Sequence, residues 1–331
     1  MAHRQYTDYG RGYSNARTCH LFTRRRIVAA ASAAFAAGCS RPGAAVSQES
    51  QTTSGAPLAT RAIPSSGEAL PAIGLGTYQA FDVAPPGEAW DQAREGLRTF
   101  ASRGGKVVDS SATYGRAEES VGALAESLGI RPGLFLATKV QIRGREAGIA
   151  QMEASFRKLR TDRIDLMQVH NLIDLEVHMA TLRAWKESGR IRYLGATHYH
   201  EGAYDALEAA MRSHRFDAIQ INASVAERGA EARILPLARD LGMAVVINRP
   251  FAGGDVFSRV RQLPLPGWAA EIGCESWAQV LLKYVLANPA VTCAIPGTRN
   301  PRHILDNLGA ATGPLPDAAQ RARIVQAVEA A

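Results

Sequence analysis

Residues 134–170 read LFLATKVQIRGREAGIAQMEASFRKLRTDRIDLMQVH, and this stretch decides the fold. Leu134–Lys139 is a short apolar run, residues 145–160 mix charged and apolar side chains with helical spacing, and Ile164–His170 is apolar again. The order is strand, helix, strand. Runs this apolar suit parallel strands covered by helices, because a sheet with one wet face would alternate apolar and polar side chains.

The same unit repeats on both sides. Further strands are expected at Ile73–Leu75, Lys106–Asp109, Ile191–Thr197, Ala218–Ile221, Ala244–Ile247 and Val291–Ile295. Amphipathic helices are expected at residues 88–103, 117–128, 175–188, 202–212, 231–241, 276–287 and 301–308, with an Ala-rich packing helix from Asp317 to the end. Eight strand–helix units in regular order predict one closed (β/α)8 TIM barrel within residues 63–331. A doubly wound open sheet would carry a Gly-rich phosphate turn after its first strand, and none is present.

Residues 1–39 read as a targeting segment. Thr23-Arg24-Arg25-Arg26-Ile27-Val28 resembles a twin-arginine export signal. A mild apolar run, Ile27–Ala37, leads to Ala36-Ala37-Gly38-Cys39, which resembles a bacterial lipobox with Ala36 where a larger aliphatic residue is usual. This reading predicts passage through the twin-arginine machinery to the periplasm or cell envelope, with a lipid anchor at Cys39. The alternative is a cytoplasmic chain with an ordinary N-terminal helix. Residues 40–62, small and polar with Pro and Gly, read as a flexible linker.

The net charge of +7 does not mark a nucleic-acid binder, because residues 1–38 alone hold a net +5. In the rest of the chain acidic and basic residues mix along helical segments, as on solvated faces. No apolar run reaches the roughly 18 residues that span a bilayer. Cys19, Cys39, Cys274 and Cys293 fit no zinc or CxxC spacing, and His170 with His198 is too small a set for a metal-dependent hydrolase. No metal is therefore expected. Cys293 reads as a core residue, while pairing of Cys274 stays open.

In such barrels function gathers where strands end at their C-termini. Here those ends carry Asp109 within DSSATYG, Lys139 within LATKV, His170 within DLMQVHN, Thr197-His198, then Gln220 and Asn222, and finally IPGTRNP. Each has a plain structural explanation alone. Asp109 suits a loop cap, Tyr114 a loop aromatic, Lys139 a side chain snorkelling to the surface, and His170 a core histidine. Their joint occurrence at successive strand ends favours chemistry.

At these residues the chain resembles the aldo-keto reductase family. IGLGTY (73–78), VVDSSATYGRAEESVG, LATKV, RIDLMQVH, GRIRYLGATHY, FDAIQIN and IPGTRNPRHILDNLGA follow the family's patterns in the family's order, over nearly the whole domain. The resemblance implies a catalytic tetrad of Asp109, Tyr114, Lys139 and His170, and reduction of a small aldehyde or ketone by NADPH. Hydride reaches the carbonyl carbon, so charge grows on an oxygen that needs a proton and a polar anchor. Tyr114 would be the acid. Lys139 is expected to lower its pKa from about 10, Asp109 to aim Lys139, and His170 to orient the carbonyl.

For the cofactor, the resemblance implies a carboxamide site at Thr197, His198 and Gln220, where the family's usual Ser-Asn pair is replaced by Thr-His. The family's stacking Tyr is missing from Asn248-Arg249-Pro250-Phe251, so Phe251 or Arg249 would cover the ring or the pyrophosphate. Gly297, Thr298 and Arg299 begin a phosphate-type loop. Arg299 and Arg302 would hold the 2′-phosphate, with His303 and Asn307 further along the helix, which favours NADPH over NADH. Ala252–Glu275, with Trp268, is the expected lid, and Phe81 and Trp90 are further aromatic candidates near the first strand. The competing reading is a barrel that keeps its cofactor for a regulatory or binding role and turns over little.

Overall fold

The computed structural model describes residues 56–331; the leader, Cys39 and most of the linker lie outside the described residues. A short antiparallel hairpin comes first, β1 (Thr60–Ala62) and β2 (Ala69–Pro71). Eight parallel strands follow: β3 (Leu75–Gly76), β4 (Val107–Asp109), β5 (Phe135–Val140), β6 (Ile164–His170), β7 (Ile191–Thr197), β8 (Ala218–Asn222), β9 (Ala244–Asn248) and β10 (Cys293–Ala294). They pair in sequence order. Bridges from Ile73 to Ala294 and from Gly76 to Gly297 join the last strand to the first and close the barrel. The helices are α1 (Glu88–Ser102), α2 (Ala117–Ser127), α3 (Arg145–Lys158), α4 (Leu175–Glu187), α5 (Tyr204–Ser213), α6 (Gly229–Ala232), α7 (Ile234–Asp240), α8 (Asp255–Val260), α9 (Trp277–Leu286), α10 (Pro301–Gly309) and α11 (Ala318–Glu329).

Two apolar layers explain why the strands read as unbroken apolar runs. Val107, Phe135, Ala137, Leu166, Tyr193, Ala218, Ala244, Val246 and Cys293 fill the barrel interior. Their neighbours Val108, Leu136, Met167, Leu194, Ile219 and Val245 face outward and pack with the helices. Side chains alternate along each strand, but both faces are dry. Strand contact is close at Gly195, where a Cβ would collide with the Ala218 carbonyl.

Three expectations are corrected. Thr60–Ala62, assigned to the linker, form β1. These residues have no apolar pattern; their order comes from pairing with β2 and from Arg61, whose guanidinium donates to the carbonyls of Leu286, Asn288 and Val291. The side-chain bonds of Arg61 span more than two hundred residues, so no local pattern announces them. The helix expected at 231–241 is two pieces, broken at Arg233, whose φ of −133° is not helical. Phe81 is fully buried in the core rather than at a pocket. The hairpin also sends Ile63 and Leu70 into the interior beside Phe135, Leu166 and Tyr193, plugging the end where the strands begin. Among the described residues no helix is long and apolar enough to cross a membrane.

Candidate active site

The other end of the barrel is open. A cleft of about 740 Å³ is lined there by Gly76, Thr77, Tyr78, Asp109, Tyr114, His170, Asn171, Thr197, Tyr199, Gln220, Asn248–Phe251, Phe257 and Gly297. Its floor is made by strand ends. Asp109 ends β4, Lys139 is the penultimate residue of β5 and His170 ends β6. Tyr114 lies in the turn between β4 and α2, its ring edge-on to His170 with centroids 6.0 Å apart.

Lys139 is wholly buried. Its ammonium donates to Asp109 Oδ2 and to the Ser110 carbonyl, both at 2.6 Å, and stands 5.0 Å from the Tyr114 ring centroid. Asp109 Oδ1 accepts from Gln220 Nε2 at 2.8 Å. Charge cannot be buried this deeply without such partners. Burial opposes the charge on Lys139, but Asp109 and Tyr114 together outweigh it and hold the pKa above the ordinary lysine value.

Tyr114 departs from expectation. Burial has the largest effect and raises its pKa; Lys139 pulls it down, but Asp109 cancels part of that pull. Tyr114 is therefore a neutral phenol at physiological pH rather than one poised near its pKa. His170 is also neutral. Burial, then the charge of Lys139, then His198 push its pKa down to about 3. Its Nδ1 lies 3.2 Å from Ser111 Oγ. Among the described residues no protein group bonds its Nε2, and the Tyr114 hydroxyl has the Lys139 ammonium as its hydrogen-bonding neighbour. Ser111 was missed in the sequence, although it stands within DSSATYG.

The residues assigned to cofactor binding divide. Thr197, Gln220, Asn248, Arg249, Pro250, Phe251 and Gly297 line the same cleft as Tyr114 and His170. Gln220 is engaged at both ends, accepting from Thr197 Oγ1 at 2.9 Å while donating to Asp109. His198 does not line the cleft. Its Nδ1 accepts from the Tyr199 amide, and its ring stacks on Tyr199, which lines the cleft in its place. Arg249 is paired with Glu227 at 2.9 Å. Thr298, Arg299, His303 and Asn307 lie outside the lining. Arg299 donates to Gln92 Oε1 from the strand-eight loop, Thr298 accepts from the Asn300 amide, His303 is exposed and Asn307 is buried on α10. Of the expected lid, only its first turns reach the cleft, through Gly253, Gly254 and Phe257. Trp268 packs under Arg323 instead.

Asn171 Oδ1 and Asn248 Oδ1 are buried acceptors without a partner, and both residues belong to the cleft wall. A buried acceptor left unpaired is unfavourable unless a ligand supplies a donor. An amide-bearing ring with ribose hydroxyls has such donors, so the wall fits a nicotinamide nucleotide. Among the described residues no group of three His, Cys, Asp or Glu side chains could hold a metal ion.

Residues 72–329 match the Aldo/keto reductase family, and the chain belongs to that family. The uncharacterized oxidoreductase YrpG of Bacillus subtilis is 30% identical over 194 residues, which cover 48% of this chain and 57% of YrpG. The chain thus aligns with little more than half of that relative. The aldo-keto reductase str7 of Strobilurus tenacellus is 27% identical over 301 residues, covering 77% of this chain and 88% of its own. Among solved structures, an aldo/keto reductase from Klebsiella pneumoniae in complex with NADP and acetate superposes with a TM-score of 0.66 at 25% identity, covering 78% of this chain and 92% of that one.

Proposed function

We propose that this chain reduces small aldehydes or ketones to alcohols with NADPH. The supporting observation is the joint placement of Tyr114, Asp109 and His170 in one cleft, with Lys139 buried behind them and paired with Asp109. The NADP-bound Klebsiella relative supports the choice of cofactor. Thr197, Asn248, Arg249 and Phe251 would hold the nicotinamide end, and Arg299 the 2′-phosphate at the start of α10.

When bound, the cofactor supplies a hydride to the carbonyl carbon. The protein handles the oxygen. Neutral His170, held at Nδ1 by Ser111, donates from Nε2 to the carbonyl oxygen and fixes its direction. Tyr114 gives its proton to that oxygen as the C=O bond becomes C–O–H. Lys139 favours the resulting phenolate, and Asp109 keeps Lys139 charged and aimed. The hydride and this proton complete the alcohol.

One observation favours the binding-protein reading. Gln220 is already tied at both amide atoms, to Thr197 and to Asp109, and His198 is turned aside. Rapid mixing of the protein with NADPH or NADH, then an aldehyde, separates the two. Prompt single-turnover oxidation in the native protein, slowed about 10²–10⁴-fold in Tyr114→Phe, supports catalysis. Tight cofactor binding without oxidation supports the other reading.

We also propose export through the twin-arginine route and anchoring at Cys39, supported by the sequence of residues 23–39. A Cys39→Ser chain that stays in the membrane fraction after a high-salt wash would count against the anchor.

A further inference from the structure

Behind His170 a line of polar side chains leads out of the cleft. Ser111 Oγ stands 3.2 Å from His170 Nδ1 and 3.1 Å from Thr113 Oγ1, and Thr113 Oγ1 stands 3.2 Å from Gln141 Oε1. Ser111 is fully buried, Gln141 is partly exposed and Thr113 is exposed. Of these residues only His170 lines the cleft. The backbone along the line is pinned. The Thr113 amide donates to Ser111 Oγ at 3.3 Å, and the Gln141 amide donates to Gln151 Oε1 at 2.7 Å.

These three side-chain contacts need three hydrogens, and the two hydroxyls own only two. The third must enter from one end of the line, from His170 Nδ1 or from the side of Thr113 that faces Gln141 and solvent. With the Gln141 carbonyl toward Thr113, as it stands here, the Thr113 hydroxyl donates outward. Ser111 then donates to Thr113, and His170 Nδ1 carries the hydrogen that reaches Ser111. Burial, then the charge of Lys139, hold the His170 pKa down at about 3. The ring is neutral, so only one of its nitrogens bears a hydrogen, and Nε2 faces the cleft as a bare acceptor.

A half-turn of the Gln141 amide puts its nitrogen where its oxygen stood. Every hydrogen on the line then points inward, from Gln141 to Thr113, from Thr113 to Ser111 and from Ser111 to Nδ1. Nε2 carries the ring hydrogen and becomes a donor. Ser111 accepts twice and donates once in both arrangements, so neither leaves a buried valence empty. No protein group among the described residues bonds Nε2, so the choice falls to the outer end of the line.

We propose that Gln141 is a positioning residue that sets the tautomer of His170 from outside the cleft, through Thr113 and Ser111. A carbonyl oxygen only accepts, so its reduction uses the arrangement with the Gln141 nitrogen inward. An alcohol both donates and accepts, and either arrangement receives it. The consequence for turnover rests on the reductase reading; the tautomer does not.

Gln141→Glu keeps the shape of the side chain but only accepts at neutral pH. It should hold the Thr113 hydrogen outward and His170 in its Nδ1–H form. Thr113→Val keeps the shape at 113 and cuts the line. Neither side chain is buried, so folding is not at stake. Nitrogen NMR of full-length protein with isotope-labelled imidazole rings reads the tautomer, the His170 signals being assigned by their loss in His170→Asn. The native ring should show both forms in exchange. Gln141→Glu should move it to Nδ1–H, and the same change in a Thr113→Val background should move nothing. Single-turnover reduction of an aldehyde should fall at least about tenfold in Gln141→Glu, as for a lost hydrogen bond to a developing charge, and oxidation of the alcohol should fall less. An unmoved His170 spectrum in Gln141→Glu would overturn the proposal. So would an equal shift in the Thr113→Val background, which would assign the effect to the carboxylate's field. A spectrum that moves while the reduction rate stays native would overturn the positioning role. A spectrum that moves as expected in a chain without turnover upholds the line and removes the reductase reading alone.

Discussion

The two ends of this barrel use similar parts in different ways. At the cleft, Asp109, Lys139, Gln220 and Thr197 form a buried network that touches the Tyr114 hydroxyl through Lys139, while His170 Nε2 beside it has no protein partner among the described residues. At the hairpin end, Glu68 accepts from both Arg192 and Tyr193, Asp165 takes Arg192 and the Leu136 amide, and Asp217 takes Lys186 and the Leu194 amide. The second network closes on itself and seals the hairpin. The first holds some groups rigid so that others stay available. Of the seven buried side-chain atoms without partners among the described residues, Ser110 Oγ, Gln168 Oε1, Asn171 Oδ1 and Asn248 Oδ1 lie in or around the cleft, whereas Arg131 Nε, Glu118 Oε2 and Thr181 Oγ1 lie away from it. An ion pair therefore does not mark function. Unspent polar capacity beside a rigid pair does.

The comparison breaks most readily at Lys139. Lys139→Met keeps much of the volume but leaves Asp109, whose side chain is 4% exposed, without its cation. Removing one partner of a buried pair is destabilising by about 3–5 kcal/mol. Carbonyl reduction should fall by at least the factor expected for Tyr114→Phe in the proposed mechanism, because the phenolate loses its ammonium. Denaturant unfolding and single-turnover rates check both. A stable, active Lys139→Met protein would mean that the cleft network is no more than a seal.

Which parts were legible follows from the same physics. Parallel strands covered by helices must be apolar on both faces, so all eight barrel strands could be read to within a residue or two from local runs. The first was set slightly early, at Ile73–Leu75 instead of Leu75–Gly76. Asp109, Lys139 and His170 interrupt such runs at their ends and were visible for that reason. Tyr114 needed its neighbours in DSSATYG. The hairpin was illegible because Thr60–Ala62 owe their order to Arg61 and distant carbonyls, not to their own pattern. The turned-aside His198 and the pairing of Arg249 with Glu227 depend on side-chain rotations that no spacing encodes. The raised pKa of Tyr114 was missed because a sequence shows the attractive neighbour, Lys139, but neither the depth of burial nor the opposing field of Asp109.

The hairpin end sharpens the comparison with a smaller effect. Glu68→Gln keeps an acceptor for Tyr193 but removes the charge that faces Arg192. Both side chains of that ion pair are about 30% exposed, and Arg192 retains Asp165 at 2.9 Å. No charge is stranded in a dry interior, so the loss should be about 1 kcal/mol, as for a partly exposed pair, and should shrink as salt is raised. Turnover at the far end should be unchanged, because the hairpin contributes no residue to the cleft. Denaturant midpoints at low and high salt, with single-turnover rates beside them, make the test. A loss as large as that of Lys139→Met, or a change in rate, would show that the two networks are coupled through the barrel interior and that the seal is part of the catalytic apparatus.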